Sequence, residues 1–329
     1  MKYRLGEICD VVSGGTPSRA TAEFWDGGTI PWIKIGNIQR KYVDEADEYI
    51  TQAGLEGSSA KMLSAGTILF TIFATLGEVG ILTIEACTNQ AIAGITIKNQ
   101  SDILTDYLYY FLKSQKSCIA ALGRGVAQNN INLSILRNFE VPIPDLPMQK
   151  QIVAILDKTA KVVEVRQQQL QQLDELVKAR FVELFGDGNH PHIALIDLII
   201  EGAGLSYGIV QPGDDGTGDM GVLRPVDMVD GKISTASIKY IDRSIGDGFK
   251  KTELYGDELL ITVRGTTGIT ALTDIRFNGM NVTRGIAVVR YDRNKINPVY
   301  LNAYLNTDES QRYIQEHTRG ATLQQINLS

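Results

Sequence analysis

RGVAQNNINLS, from Arg124 to Ser134, and RGATLQQINLS, from Arg319 to Ser329, are one loop written twice. Six of the eleven paired positions are identical, and the amide-rich centre keeps its chemistry with Gln in place of Asn. Working outward, the two copies stay in register. YLYYFL (Tyr107 to Leu112) lies over YLNAYL (Tyr300 to Leu305), and NQAIAGI (Asn89 to Ile95) over TRGIAVV (Thr283 to Val289). GTILFTIFATLG (Gly66 to Gly77) lies over DELLITVRGTTG (Asp257 to Gly268), and PWIKIGNI (Pro31 to Ile38) over GVLRPVDM (Gly221 to Met228). LGEICDVVSGG (Leu5 to Gly15) matches LIDLIIEGAG (Leu195 to Gly204). Each match is weak, but their common order and slowly drifting offset point to one fold used twice.

Within each copy the elements are mixed. The β-branched runs TILFTIFAT, ELLITVRG, AIAGITIK and GIAVVRY read as strands. TDYLYYFLKSQKSCIAAL reads as a helix capped by Thr105, and NPVYLNAYLNTDESQRYIQ as its twin, capped by Asn297 with Pro298 in the first turn. Strands and helices without regular βαβ alternation give an α+β class. The expected layout is two similar α+β domains, residues 1–141 and 189–329, joined by a long coiled-coil-type helix within 142–188.

That helix is announced by VPIPDLPMQ, whose prolines stop one element and set the start of the next. From Met148 to Phe185 there is no Gly or Pro. Leu156, Val163, Leu170, Val177 and Leu184 recur every seventh residue, and Ile152 and Leu173, with the less apolar Thr159, fill the companion position. This is a heptad seam, ended by Gly186. At about 1.5 Å per residue it spans roughly 55 Å, and a helix of that length with one apolar stripe needs a partner. By the logic of the repeat a second such helix follows the second domain, and the sequence ends just where it would begin.

Composition narrows the classes. The chain has 329 residues, 43% of them hydrophobic and 21% charged, so two folded domains are expected. No apolar run approaches the roughly 18 residues of a membrane span, and MKYRLGEICD has no signal-peptide core; a cytoplasmic protein is expected. Cys9, Cys87 and Cys118 are scattered and read as buried reduced thiols. His190 and His192 in HPH are too few to hold a metal. The formal net charge of −6 argues against binding nucleic acid by bulk attraction, though not against local basic loops.

These features together resemble the specificity subunit of type I restriction–modification systems, over essentially the whole chain. The resemblance is carried by NFEVPIPDLPMQKQIVAILDK, by LDELVKARFVELFGD, and by the LGEICDVVSGGTP opening, GTILFT strand and INLS exit. It implies two target recognition domains that read a bipartite, gapped double-stranded DNA sequence. It implies a spacer of paired helices that docks methyltransferase subunits, and a restriction subunit that joins them. It implies no catalytic site or cofactor in this chain, with S-adenosylmethionine, ATP and magnesium held by the partner subunits. The second conserved helical region is the one departure from that pattern. A second copy of the chain or a half-subunit would supply the missing helix.

DNA contacts are expected from loops that repeat in place. One carries Lys34 and Asn37, matched by Arg224 and Asp227. The next is Phe73 to Gly77, with Thr75, matched by Arg264, Thr266 and Thr267; Arg284 lies close by in the TRGIAVV match. The last carries Arg124, Gln128, Asn129 and Asn130, matched by Arg319, Gln324 and Gln325. Arg pairs with guanine or phosphate, and Asn and Gln with adenine. The basic pairs Lys34/Arg224 and Arg124/Arg319 persist in both copies, which suits phosphate rather than base readout. Helix packing is the competing role for the INLS tails.

Two other classes compete with this one. A protein-binding assembly scaffold fits the acidic balance. An N6-adenine methyltransferase would draw on NPVY (Asn297 to Tyr300), but its third residue is Val and its repeat twin opens a plain helix. FGDG (Phe185 to Gly188) follows a helix, where a cofactor loop should follow a strand.

Overall fold

Ile68–Thr71 is apolar at nearly every position because both of its faces are covered. It pairs antiparallel with Ile92–Ile97 on one side and Val79–Leu82 on the other. Side chains of a strand alternate between faces. Ile68 and Phe70 enter a core with Tyr107, Leu108 and Leu112 of the Thr105–Ser114 helix. Leu69 points the other way, among Ile33, Val43, Leu63 and Leu82. Leu259–Thr262 repeats the arrangement. Leu259 and Ile261 share a core with Leu301 of the Pro298–Leu305 helix, and Leu260 packs with Leu223, Phe277 and Val288. Each such buried side chain contributes about 1.5–3 kcal/mol.

The computed structural model describes residues 2–116, 119, 131–186, 190–213, 218–229, 231–319 and 325–326. The chain divides into two compact units, Met1–Arg166 and Gln167–Ser329. In the first, one sheet has the order Cys9–Ser13, Ile92–Ile97, Ile68–Thr71, Val79–Leu82, Tyr42–Val43, and a second has Glu48–Ile50, Ile30–Ile33, Cys87–Thr88. In the second, the orders are Ser206–Tyr207, Ile286–Val289, Leu259–Thr262, Thr270–Leu272, and Lys239–Ile241, Met220–Leu223, Asn281–Val282. Four strands of the larger sheet and all three of the smaller follow the same order in both units, including the parallel pairings Trp32 with Cys87 and Val222 with Asn281, and the first unit's larger sheet adds Tyr42–Val43 as a fifth strand. The fold is α+β, two similar domains joined by a long helix.

Local chemistry departs from expectation at two helices. Thr105 is not a cap: Leu104 holds the cap position with no side-chain bond, and Thr105 is the first helical residue. The segment after Asn297 is two helices, Pro298–Leu305 and Asp308–Glu316. Asn297 caps the first through Val299 N at 2.8 Å. Thr307, whose side chain accepts from Ser310 N, starts the second, so local side-chain bonding outcompetes continuation of the first. Cys9 and Cys87 are buried free thiols, and burial pushes them up to about 12 and about 11. Cys118 lies outside the described residues.

The long helix is continuous from Leu146 to Phe185. Asp145 sets its start, accepting from Met148 N at 3.1 Å, with Pro147 tolerated in the first turn. Gly186 follows its last residue and donates to the Val182 carbonyl at 2.7 Å, so close that a Cβ there would lie 2.6 Å from the same oxygen. In the first unit Gln149 is completely buried, and Ile152 and Val153 pack on the domain core. Asp157 accepts from Lys41 Nζ and from Tyr110 OH, both at 2.6 Å. In the second unit Phe181 and Phe185 pack against Tyr300, with ring centroids 5.2 and 5.1 Å apart.

Candidate nucleic-acid interface

Three backbone hydrogen bonds gather the predicted loops, and both units make all three. In the first unit Asn89 N donates to Ile33 O (3.1 Å), Ile72 N to Ala91 O (2.8 Å) and Ile131 N to Ile72 O (3.0 Å). In the second, Thr283 N donates to Leu223 O (2.9 Å), Val263 N to Gly285 O (2.8 Å) and Ile326 N to Val263 O (3.0 Å). The loops after Ile33, Ile72 and Thr88 are thereby neighbours in one unit, and those after Leu223, Val263 and Val282 in the other. Ile131 and Ile326 open the two INLS segments, which explains part of the duplicated loop: it ties the same carbonyl in each copy.

At the first loop the structure gives several predicted contacts an internal role. Asn37 accepts from Lys34 N at 2.9 Å and Asp227 from Arg224 N at 2.8 Å, each closing a short 3-10 turn. Lys34 Nζ sits 2.5 Å from Glu48 Oε1. Arg19 reaches the other oxygen of Glu48 while lying 3.6 Å from the ring centroid of Trp25. The bond from Lys34 holds the Glu48 carboxyl below its usual range despite burial, with help from Arg19. Asp227 is fully buried. Burial pushes its carboxyl up, but Arg224, Ser237 and a backbone amide hold it below the ordinary value. Arg224 is raised in turn by that bond. Asp227 is therefore a folding residue and not a surface for bases, because contact would require desolvating a pair that is already satisfied. Lys34 and Arg224, read from sequence as phosphate grips, are engaged in the same internal pairs.

The second loop is presented to solvent. Phe73 and Thr75 are exposed, and the Thr75 carbonyl accepts from Thr71 Oγ1. Ala74 has φ of 58°, a left-handed conformation that costs a non-glycine residue, and its twin Gly265 takes φ of 78° freely. Thr266 is exposed and Arg264 half-buried. Thr267 Oγ1 lies 3.3 Å from Thr318 Oγ1, so Arg319 on the Thr318–Arg319 strand is brought beside this loop.

Between these loops the second unit has a groove of about 800 Å³. Val226 and Val229, 69% and 51% exposed, line one part of it. Arg264, Thr266 and the exposed Arg284 line another. Gly285 lets the loops meet, since a Cβ there would lie 2.6 Å from Pro225 Cγ. Sequence reasoning passed over Val226 and Val229; the signal was present as two apolar residues in a loop, RPVDMV, flanked by a charged pair. Arg124, Gln128, Asn129, Asn130 and Gln324 lie outside the described residues, and Gln325 is placed only as a backbone partner of Arg319.

On the long helix Val163, Leu170, Leu173, Val177 and Leu184 are 50–63% exposed and Leu156 is 36% exposed, so the seam is open to solvent. Ile152 is the exception, because it packs into the first domain. Among the described residues no group of three or more His, Cys, Asp or Glu is placed to hold a metal, and no helix is long and apolar enough to cross a membrane.

Comparison with known proteins agrees with this architecture. A chain solved in work on complex assembly and conformational transition of the type I R-M system aligns over 99% of this chain and 82% of its own length, with a TM-score of 0.50. At 16% identity that likeness is one of fold. The S subunit of a type I restriction–modification system from M. genitalium aligns over 96% of this chain with a TM-score of 0.44. In sequence, the type I restriction enzyme EcoR124I/EcoR124II specificity subunit of Escherichia coli is 33% identical over 160 residues, 47% of this chain and 39% of that protein. The MjaIX specificity subunit of Methanocaldococcus jannaschii is 28% identical over 189 residues, 56% of this chain and 43% of that protein. The matches thus span about two fifths of these relatives. The family model for the type I restriction modification DNA specificity domain matches residues 1–175, more than half of the 329. The chain belongs to the family of type I restriction–modification specificity subunits.

Proposed function

We propose that this chain is the DNA-reading subunit of a type I restriction–modification complex, without a catalytic site of its own. Its two domains, residues 1–141 and 189–329, each read one half of a bipartite, gapped duplex target. Residues 142–188 space them and dock methyltransferase subunits, to which a restriction subunit joins. The partners hold S-adenosylmethionine, ATP and magnesium, and direct adenine methylation or cleavage to the site read here. A second copy of the chain, or a half-subunit, covers the helix seam. The site of action is the cytoplasm.

The observation that carries this reading is the set of three hydrogen bonds, made in both units, that assembles equivalent loops from different side chains. A common frame with different side chains is what two distinct half-sites require. Within those loops the contact set is Thr75, Arg264, Thr266, Thr267, Arg284 and Arg319, joined by Arg124, Gln128, Asn129, Asn130, Gln324 and Gln325. The test is to map methylated adenines in a genome with and without this gene. One gapped motif should vanish with the gene; an unchanged methylation pattern would refute the proposal.

A further inference from the structure

We infer that the groove of the second unit reads thymine through its 5-methyl group, with Val226 and Val229 as the methyl-contacting residues. The inference rests on the DNA-reading role above and names the base that one of its sites selects. The two units build this place on one frame but furnish it differently. The hydrogen bonds Asn89 N to Ile33 O and Thr283 N to Leu223 O make Gln90 the counterpart of Arg284, and the matched 3-10 turns make Gly36 and Gln39 the counterparts of Val226 and Val229. Gly36, Gln39 and Gln90 are exposed, with Gln39 Nε2 donating to the Gly36 carbonyl and Gln90 accepting from Thr16, so the first unit presents polar groups where the second presents two exposed valines and an arginine.

Exposed valines are common singly, but here both border one groove, together with Val210, which is 49% exposed. Arg264 and Arg284 line the same groove of a chain whose net charge is −6. Apolar and cationic surface side by side complements a methyl group carried on a polyanion. Thymine is the base that shows a methyl in the major groove, where apolar side chains distinguish it from cytosine and the purines. The arginines then hold the flanking phosphates or a neighbouring guanine.

Uracil keeps thymine's hydrogen-bonding edge and lacks only the methyl, so the test is a set of duplexes bearing the gapped motif with each thymine replaced singly by uracil. Binding is measured to the full chain assembled with its methyltransferase subunit, wild type and Val226→Ser. The expected result is one position where uracil weakens wild-type binding about four-fold, the worth of one buried methyl group. At that position Val226→Ser should discriminate less than wild type between thymine and uracil, with Val229 left as the one remaining methyl contact. Val226 is 69% exposed, so the change leaves the fold intact. DNA binding with no uracil-sensitive position, or discrimination unaltered in Val226→Ser, overturns the inference and leaves the DNA-reading role standing. Loss of the methyltransferase from Val226→Ser with base preference unchanged also overturns it, since the groove would then be a protein contact. Absence of any gapped motif dependent on the gene removes the DNA-reading role itself.

Discussion

Arg224 forks onto Asp227, its Nε 3.0 Å from Oδ2 and its Nη2 2.9 Å from Oδ1, over a carboxylate with no exposed surface. Ser237 Oγ completes the shell at 2.8 Å. The pair fixes the loop that carries Val226 in the second unit, as Lys34 with Glu48 and Asn37 fixes its counterpart in the first. At this position the charge shared by the two copies, Lys34 and Arg224, serves the folding of its loop.

Asp227→Asn should destabilise the second unit by about 2–3 kcal/mol, below the figure for a wholly buried pair because Arg224 keeps some exposure. The folded carboxyl is held below its unfolded value of about 3.9, so its contribution is complete above that pH and is lost as pH falls through the lower folded value. The acid limb of the wild-type stability curve, below about pH 4, should be shallower in the variant. Thermal unfolding across pH 2.5 to 7 reads both effects; a parallel shift at every pH would show that Asp227 does not titrate as described.

Phosphate contact separates the arginines from the internally paired lysine. Arg264→Gln, Arg284→Gln and Arg319→Gln in the assembled complex should each weaken DNA binding. Each should also lower the slope of log affinity against log salt by about 1. Lys34→Gln should leave the slope unchanged, because its ammonium is held by Glu48 within the loop's own fold. A slope that falls for Lys34→Gln and holds for the three arginines would reverse the assignment.

The sequence made the repeat, the strand set and the long helix legible, because each rests on periodic apolar residues or on punctuation by Gly and Pro. Leu69 and Leu260 are recognisable as strand residues without knowledge of their partners. The site was legible only as a list of loops. Nothing in the spacing of Lys34 and Glu48, or of Arg224 and Ser237, announces that they meet, since those contacts come from strand pairing across a turn. Ile152 illustrates the same limit: it obeys the heptad, yet the domain core lies nearer than any partner helix. Val226 was hidden because an apolar residue in a loop gains meaning only when Arg264 and Arg284 are placed beside it.

Gln149 is a buried polar side chain whose partners are all satisfied. It accepts from Leu104 N at 2.9 Å and donates to Asp102 O and Pro144 O, each at 2.9 Å, pinning the first turn of the long helix to its domain. Gln149→Leu keeps the volume and strands these groups, at a cost of about 2–4 kcal/mol. Denaturant unfolding followed by helical signal should show the first unit lost earlier, with the second unit's transition unmoved. A cost under about 0.5 kcal/mol would mean that water replaces the amide.

The open seam of the long helix is an apolar surface suited to association. Val163, Leu170, Leu173 and Val177 lie on one stripe with half or more of their surface in water, on a helix about 60 Å long. Two such stripes packed together bury each side chain for about 1 kcal/mol or more, which favours pairing against the entropic cost of association. Isolated at about 100 µM, the chain should sediment as a dimer that dissociates on dilution. Leu170→Glu with Val177→Glu should sediment as a monomer at every concentration, with helical content unchanged, because both side chains are more than half exposed. The same double variant should fail to bind a half-subunit that supplies an apolar helix. A wild-type chain that stays monomeric at 100 µM, and a double variant that still takes up such a helix, would show that the heptads serve no pairing.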